Sequence, residues 1–186
     1  MSLSSSQIAN QHLVLTAIGK NKTGLVSELT DLVSQCQCNV VDSKMAIFGS
    51  EFTMIMLLAG DAASLVQLEM QLPQLAMQLN LLTMMKRTTK HQGLSSSEYL
   101  LVLEGPDQPG TIKQLTSYLA NNDIDISSLK SQTMLKDKSE WQVAEIAVNL
   151  PEKMDLHQLE SGFNKECISL NMNCVYKPIT IEEQTV

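Results

Sequence analysis

Aromatic residues are scarce in this 186-residue chain, 4% in all, and positive charge is not in excess: 13 Lys and Arg stand against 20 Asp and Glu, a formal net charge of −7. Such a composition offers neither the phosphate-neutralising patch nor the stacking platforms with which proteins hold nucleic acid. Direct contact with DNA or RNA is therefore not expected, and any part in gene control would run through another protein. Long apolar runs are also missing. The longest, Met54 to Gly60, falls far short of the roughly 18 to 20 residues that a membrane span needs. The opening Met1-Ser2-Leu3-Ser4-Ser5-Ser6-Gln7 has neither the basic nor the apolar region of a secretory leader. A soluble, cytoplasmic protein is the expectation.

Cysteine is sparse. Cys36, Cys38, Cys167 and Cys174 would be free thiols in a reducing compartment, serving as small apolar side chains. Cys36-x-Cys38 is too tight for the usual metal knuckle, and Cys167 and Cys174 lack a histidine at ligand spacing, so no metal is expected. His12, His91 and His157 lie on different elements without a Ser, Cys or carboxylate partner at a recognisable spacing. No phosphate-binding, nucleophile-elbow or zinc-protease motif is present. No enzymatic activity and no cofactor are expected.

What the chain does contain, it contains twice. Ile18-Gly19-Lys20-Asn21-Lys22-Thr23-Gly24-Leu25 recurs 86 residues later as Glu104-Gly105-Pro106-Asp107-Gln108-Pro109-Gly110-Thr111, and Asn39-Val40 recurs at the same offset as Asp125-Ile126. Charge divides unevenly between the copies: residues 1–90 hold 6 basic and 6 acidic side chains, residues 91–186 hold 7 and 14.

Within the first copy, the apolar run from His12 to Ile18 predicts a strand. Leu25, Val26, Leu29, Leu32, Val33 and Cys36 then fall at helical spacing, with Thr23 placed to cap and Gly24 at the tight entry. Asn39 to Phe48 and Glu51 to Ala59, turned by Gly49-Ser50, predict a hairpin. A second helix follows from Asp61, in which Pro73 is expected to impose a kink or start a separate short helix. Leu81 to Lys86 closes the copy as a strand. The second copy repeats the order over Tyr99–Glu104, Thr111–Asn121, Ile124–Leu135, Glu140–Asn149, Asp155–Leu170 and Met172–Tyr176.

The expected fold class is α+β: two tandem ferredoxin-like βαββαβ modules, each a four-stranded antiparallel sheet with two helices on one face. The modules should cover 10–90 and 98–178, with a polar linker over 91–97 and a flexible tail over 179–186.

Two places in each copy could bind a small polar molecule. One is the strand-to-helix loop, where Asn21, Thr23, Gly24 and Leu25, or Asp107, Pro109, Gly110 and Thr111, would offer free helix amides to a carboxylate. Its plainer alternative is a turn that Asp107 caps. The other is the start of the following strand, Asn39-Val40 or Asp125-Ile126, whose polar side chain could hydrogen-bond a ligand held by a neighbouring module's loop. Its plainer alternative is a helix exit.

At these residues the sequence resembles the ACT domain family, small modules that bind amino acids and report on their concentration. Gly105-Pro106-Asp107-Gln108-Pro109-Gly110 and Asp125-Ile126 carry the likeness, and the first copy departs from it with Lys22-Thr23 where the family has Pro. The resemblance implies a glycine-responsive transcriptional regulator without a DNA-binding domain. It would act by contact with the DNA-binding activator of the glycine cleavage operon, and amino-acid binding would release it. A ligand-independent interaction module with vestigial loops is the alternative, and a homo-oligomer is left open.

Overall fold

The computed structural model describes residues 11–89 and 98–179, and the chain divides into two compact units. The first unit is built from β1 (Gln11–Lys20), α1 (Leu25–Gln35), β2 (Asn39–Phe48), β3 (Glu51–Gly60), α2 (Ala62–Leu79) and β4 (Leu81–Thr88). The second repeats it as β5 (Glu98–Pro106), α3 (Thr111–Asn121), β6 (Asp125–Lys136), β7 (Ser139–Asn149), α4 (Leu156–Ser169) and β8 (Asn173–Pro178). The sheets run β2-β3-β1-β4 and β6-β7-β5-β8, antiparallel throughout. The expected linker and the expected tail from residue 180 lie outside the described residues. The amide of Ile179 donates to the Glu98 carbonyl at 2.9 Å, carrying the β5–β8 ladder one residue past β8.

Alternation in each central strand decides the layers. Leu13, Leu15 and Ala17 of β1 face the helices and are fully buried, as are Leu101 and Leu103 of β5. They meet Leu25, Leu29, Leu65, Leu68 and Leu72 in one core, and Leu115, Leu119, Leu159 and Phe163 in the other. Each Leu or Phe among them removed from water stabilises its module by about 1.5–3 kcal/mol.

Three places differ from the local expectations in whole or in part. Thr23 does not cap α1: Gly24 occupies the N-cap position in the left-handed region, φ 98°, with no side-chain cap. Pro73 lies inside a continuous α2 and does not start a separate short helix. Burial of Leu68, Leu72 and Ala76 on both sides of it offsets the lost backbone hydrogen bond. The second hairpin is also longer and tighter than expected, turning on Asp137 and Lys138 alone. Both residues have positive φ, 51° and 68°, the conformation a two-residue hairpin favours.

Arg87 of β4 clamps α2 through two parallel bonds to Glu69, Nε to Oε1 at 2.6 Å and Nη2 to Oε2 at 2.9 Å, while Nη1 donates to Gln11 at 2.9 Å. The hydrogen bond from Arg87 holds the Glu69 carboxyl below its usual range. A depressed carboxyl contributes stability that is present above its unfolded value and is lost as pH falls through the folded one. Melting temperatures of the native protein and an Arg87→Met variant should therefore differ near neutrality and converge below about pH 4. A constant gap down to pH 2 would disprove the coupling.

Candidate functional site

Both strand-to-helix loops have the same backbone. Gly24 and Gly110 sit at the N-caps of α1 and α3 with φ of 98° and 93°, a conformation in which L side chains are strained. A Cβ at either would meet nothing within 4 Å, so glycine is required by conformation rather than by space. The polar residue that opens each loop is also held alike: the Asn21 amide donates to Ser50 at 2.9 Å and the Asp107 amide to Glu140 at 3.0 Å. Beyond the glycines, the first intrahelical bonds are Glu28 to Gly24 and Gln114 to Gly110, each 3.0 Å. The amides of Val26, Ser27, Ile112 and Lys113 have no acceptor among the described residues. They give each loop the donors that a carboxylate takes.

The side chains differ. Asp107 does not cap α3: its Oδ2 accepts from the Thr133 hydroxyl of β6 at 2.7 Å. Thr111 is buried and donates its hydroxyl to the Gln108 carbonyl at 3.0 Å, whereas its counterpart Leu25 is part of the apolar core. Pro109 is exposed ahead of Gly110.

Asn39 and Asp125 open the edge strands β2 and β6, with Val40 and Ile126 half-buried next to them. Directly after each pair the register slips, between Val40 and Asp42 and between Ile126 and Ser128. A β-bulge thus recurs at the same place in both modules, a device that re-aims side chains next to binding sites. Asp125 Oδ2 accepts a long 3.4 Å bond from Asn149. Asn39 lies in an open polar depression of about 600 Å³, lined with Cys38, Gly60, Asp61 and Ser64 among others. There the Ser64 backbone bond to the Asp61 carboxylate, 2.7 Å, holds that carboxyl below its ordinary range. Burial pushes the Cys38 thiol up, which leaves it a poor nucleophile.

The two candidate places do not meet within a module. Asn39 pairs with Ala59 at one end of the sheet, while Lys20, which leads into the loop, pairs with Glu51 at the other. Eight residues of strand separate them, about 25 Å. The same holds for Asp125, opposite Asn149, and Pro106, opposite Trp141. A ligand at a loop is therefore out of reach of the strand start of its own module.

Sequence reasoning missed Gln142 of β7, which is buried and whose Oε1 has no hydrogen-bond partner among the described residues. Aligning the copies would have exposed it, since Phe52 holds the corresponding place in the first. Among the described residues no group of three His, Cys, Asp or Glu side chains is placed to hold a metal, and no helix is long and apolar enough to cross a membrane.

Residues 11–86 match the ACT domain family. Over 169 residues, 88% of this chain and 88% of the relative, the chain is 33% identical to the glycine cleavage system transcriptional repressor of Escherichia coli (strain K12). A crystal structure described as a glycine cleavage system transcriptional repressor matches with a TM-score of 0.74 at 34% identity, covering 92% of this chain and 99% of that one. A protein from Galdieria sulphuraria, of unknown role, reaches the same TM-score at 20% identity and shares the fold. The chain belongs to the glycine cleavage system transcriptional repressor family, and both of its modules have the ACT-like ferredoxin fold.

Proposed function

We propose that this protein is a glycine-responsive transcriptional regulator that acts by contact with the activator of the glycine cleavage operon and releases it when the amino acid binds. The observation that carries the ligand half is the repeated helix start, with a left-handed glycine, unpartnered amides and a polar residue at the loop entry in each module. A carboxylate fits the amides, and the side chain of Asn21 or Asp107 fits an ammonium. Asn39 and Asp125 remain candidates for a ligand carried by another module's loop. Binding would alter partner affinity only insofar as it favours one state of the protein over another, and a coupling of about 1–3 kcal/mol is ordinary for such a switch.

The protein-contact half is supported by the open face of the first sheet. Strand register places Ile18, Ile55, Leu82 and Met84 on the side away from the helices, and each is at least 40% exposed. The corresponding places in the second module hold Glu104, Glu145, Asn173 and Val175. Clustered exposed apolar side chains mark contact surfaces. That face also suits the second reading, an interaction module that responds to no ligand.

Calorimetric titration separates the two. Saturable heat with glycine, weaker or absent with serine, alanine and larger amino acids, together with loss of activator binding at saturating glycine, is the expected result. A flat response to every amino acid with activator binding intact would leave the interaction module.

A further inference from the structure

The two modules differ most beneath the strand-to-helix loop. In the first, Phe52 of β3 stands opposite Gly19 and Ile47, and Leu25 opens α1. In the second, Gln142 stands opposite Gly105 and Thr133, and Thr111 opens α3. Three hydrocarbon side chains at one place have become three hydrogen-bonding ones. Phe52 and Leu25 are 2% and 3% exposed, and Thr111 and Gln142 are 2% and 8%, so two of the three exchanges are made in the interior, where a polar group without a partner lowers stability, while Ile47 and Thr133 lie on the exposed edge strands.

Both hydroxyls are committed to holding the loop, Thr133 on Asp107 Oδ2 and Thr111 on the Gln108 carbonyl. Gln142 Oε1 is committed to nothing among the described residues. It lies on the helix-facing side of the sheet, one residue from Trp141, which pairs with Pro106 just ahead of Asp107. The Asp107 carboxylate and this amide oxygen are two acceptors at the loop base, and the Ile112 and Lys113 amides are two donors at its helix side. That set complements a zwitterion.

We propose that the second module carries the amino-acid site, with Gln142 accepting from the ligand's ammonium beside Asp107, and that the buried Leu25 and Phe52 close the corresponding place in the first. The assignment rests on the amino-acid-responsive reading above. Because Oε1 is buried, the ligand reaches it through rotation of the Gln142 side chain or an outward shift of Asp107–Gly110. Gln142 is then the residue that tells an α-amino acid from a simple carboxylate such as acetate.

The test is calorimetry of the full chain with glycine and with acetate, on the native protein, Gln142→Leu and Thr133→Val. One site per chain is expected. Gln142→Leu should bind glycine at least about 10-fold more weakly and melt about 4 °C higher, since a buried amide oxygen without a partner is gone. Thr133 is exposed, so its variant remains folded and decides the matter should Gln142→Leu not fold; it is expected to bind several-fold more weakly. Two equivalent sites per chain, or native affinity in the folded variants, would overturn the assignment while leaving the sensor reading intact. No heat from the native protein with glycine, serine or alanine would overturn both.

Discussion

Phe163→Ala is expected to cost the second module about 3–5 kcal/mol, the range for deleting a buried aromatic ring, and to lower its melting temperature by about 12 °C or more. Phe163 is fully buried on α4, and its ring meets Tyr118 of α3 at 5.5 Å between centroids, tilted by 57°. Tyr118 in turn covers Gly162, where any Cβ would run into its hydroxyl. The pair is thus a joint between the two helices, and alanine would leave a cavity between them. Set against the 5–15 kcal/mol that typically holds a domain together, the loss brings this module near its unfolding threshold. The single tryptophan, Trp141, lies on β7 and so reports on this module alone; its fluorescence during a thermal melt is the measurement. Phe163→Leu, which keeps most of the volume, should cost less than about 1.5 kcal/mol. An alanine variant melting within about 4 °C of the native protein would show that this joint contributes little.

The second large effect concerns binding. Asp107→Asn preserves the shape of the side chain and an oxygen for the Thr133 hydroxyl, so the loop should keep its conformation, but the charge that would meet an ammonium is gone. Hydrogen bonds to charged groups contribute about 1.5–3 kcal/mol, which converts to a loss of roughly 10- to 150-fold in glycine affinity. The corresponding change in the first loop, Asn21→Ala, should alter glycine affinity far less if the second module carries the site. Dissociation constants from calorimetry, with circular dichroism to establish folding, decide it. An unchanged constant for Asp107→Asn would remove Asp107 from the binding groups.

Much of this architecture could be read from the residues. The limits of the first hairpin's leading strand at Asn39 and Phe48 followed from an extended segment that Gly49-Ser50 turns, and the bounds of α3, Thr111 to Asn121, from apolar spacing after Gly110. Gly24 and Gly110 were legible because a glycine between a strand and a helix has few other uses. Three features were not legible, each for a physical reason. The bulges at Val41 and Ser127 leave no chemical mark, because the bulged residue need not be glycine. Asp137 and Lys138 turn a two-residue hairpin without the Gly that ordinarily announces one. Thr23 looked like a cap, yet the left-handed Gly24 takes that position and no capping side chain is used. Asp107 was recognised as polar and well placed, but its bond to Thr133 joins residues 26 positions apart, a pairing that the β5–β7 and β6–β7 registers create together.

The apolar open face of the first sheet has a thermodynamic consequence. A complex that covers Ile18, Ile55, Leu82 and Met84 would form with a negative heat-capacity change, the mark of apolar surface leaving water, and would respond weakly to added salt. The charged face of the second module, with Glu104 and Glu145, would give the opposite pattern. Temperature and ionic strength, varied separately, therefore report which half of the molecule its partner holds.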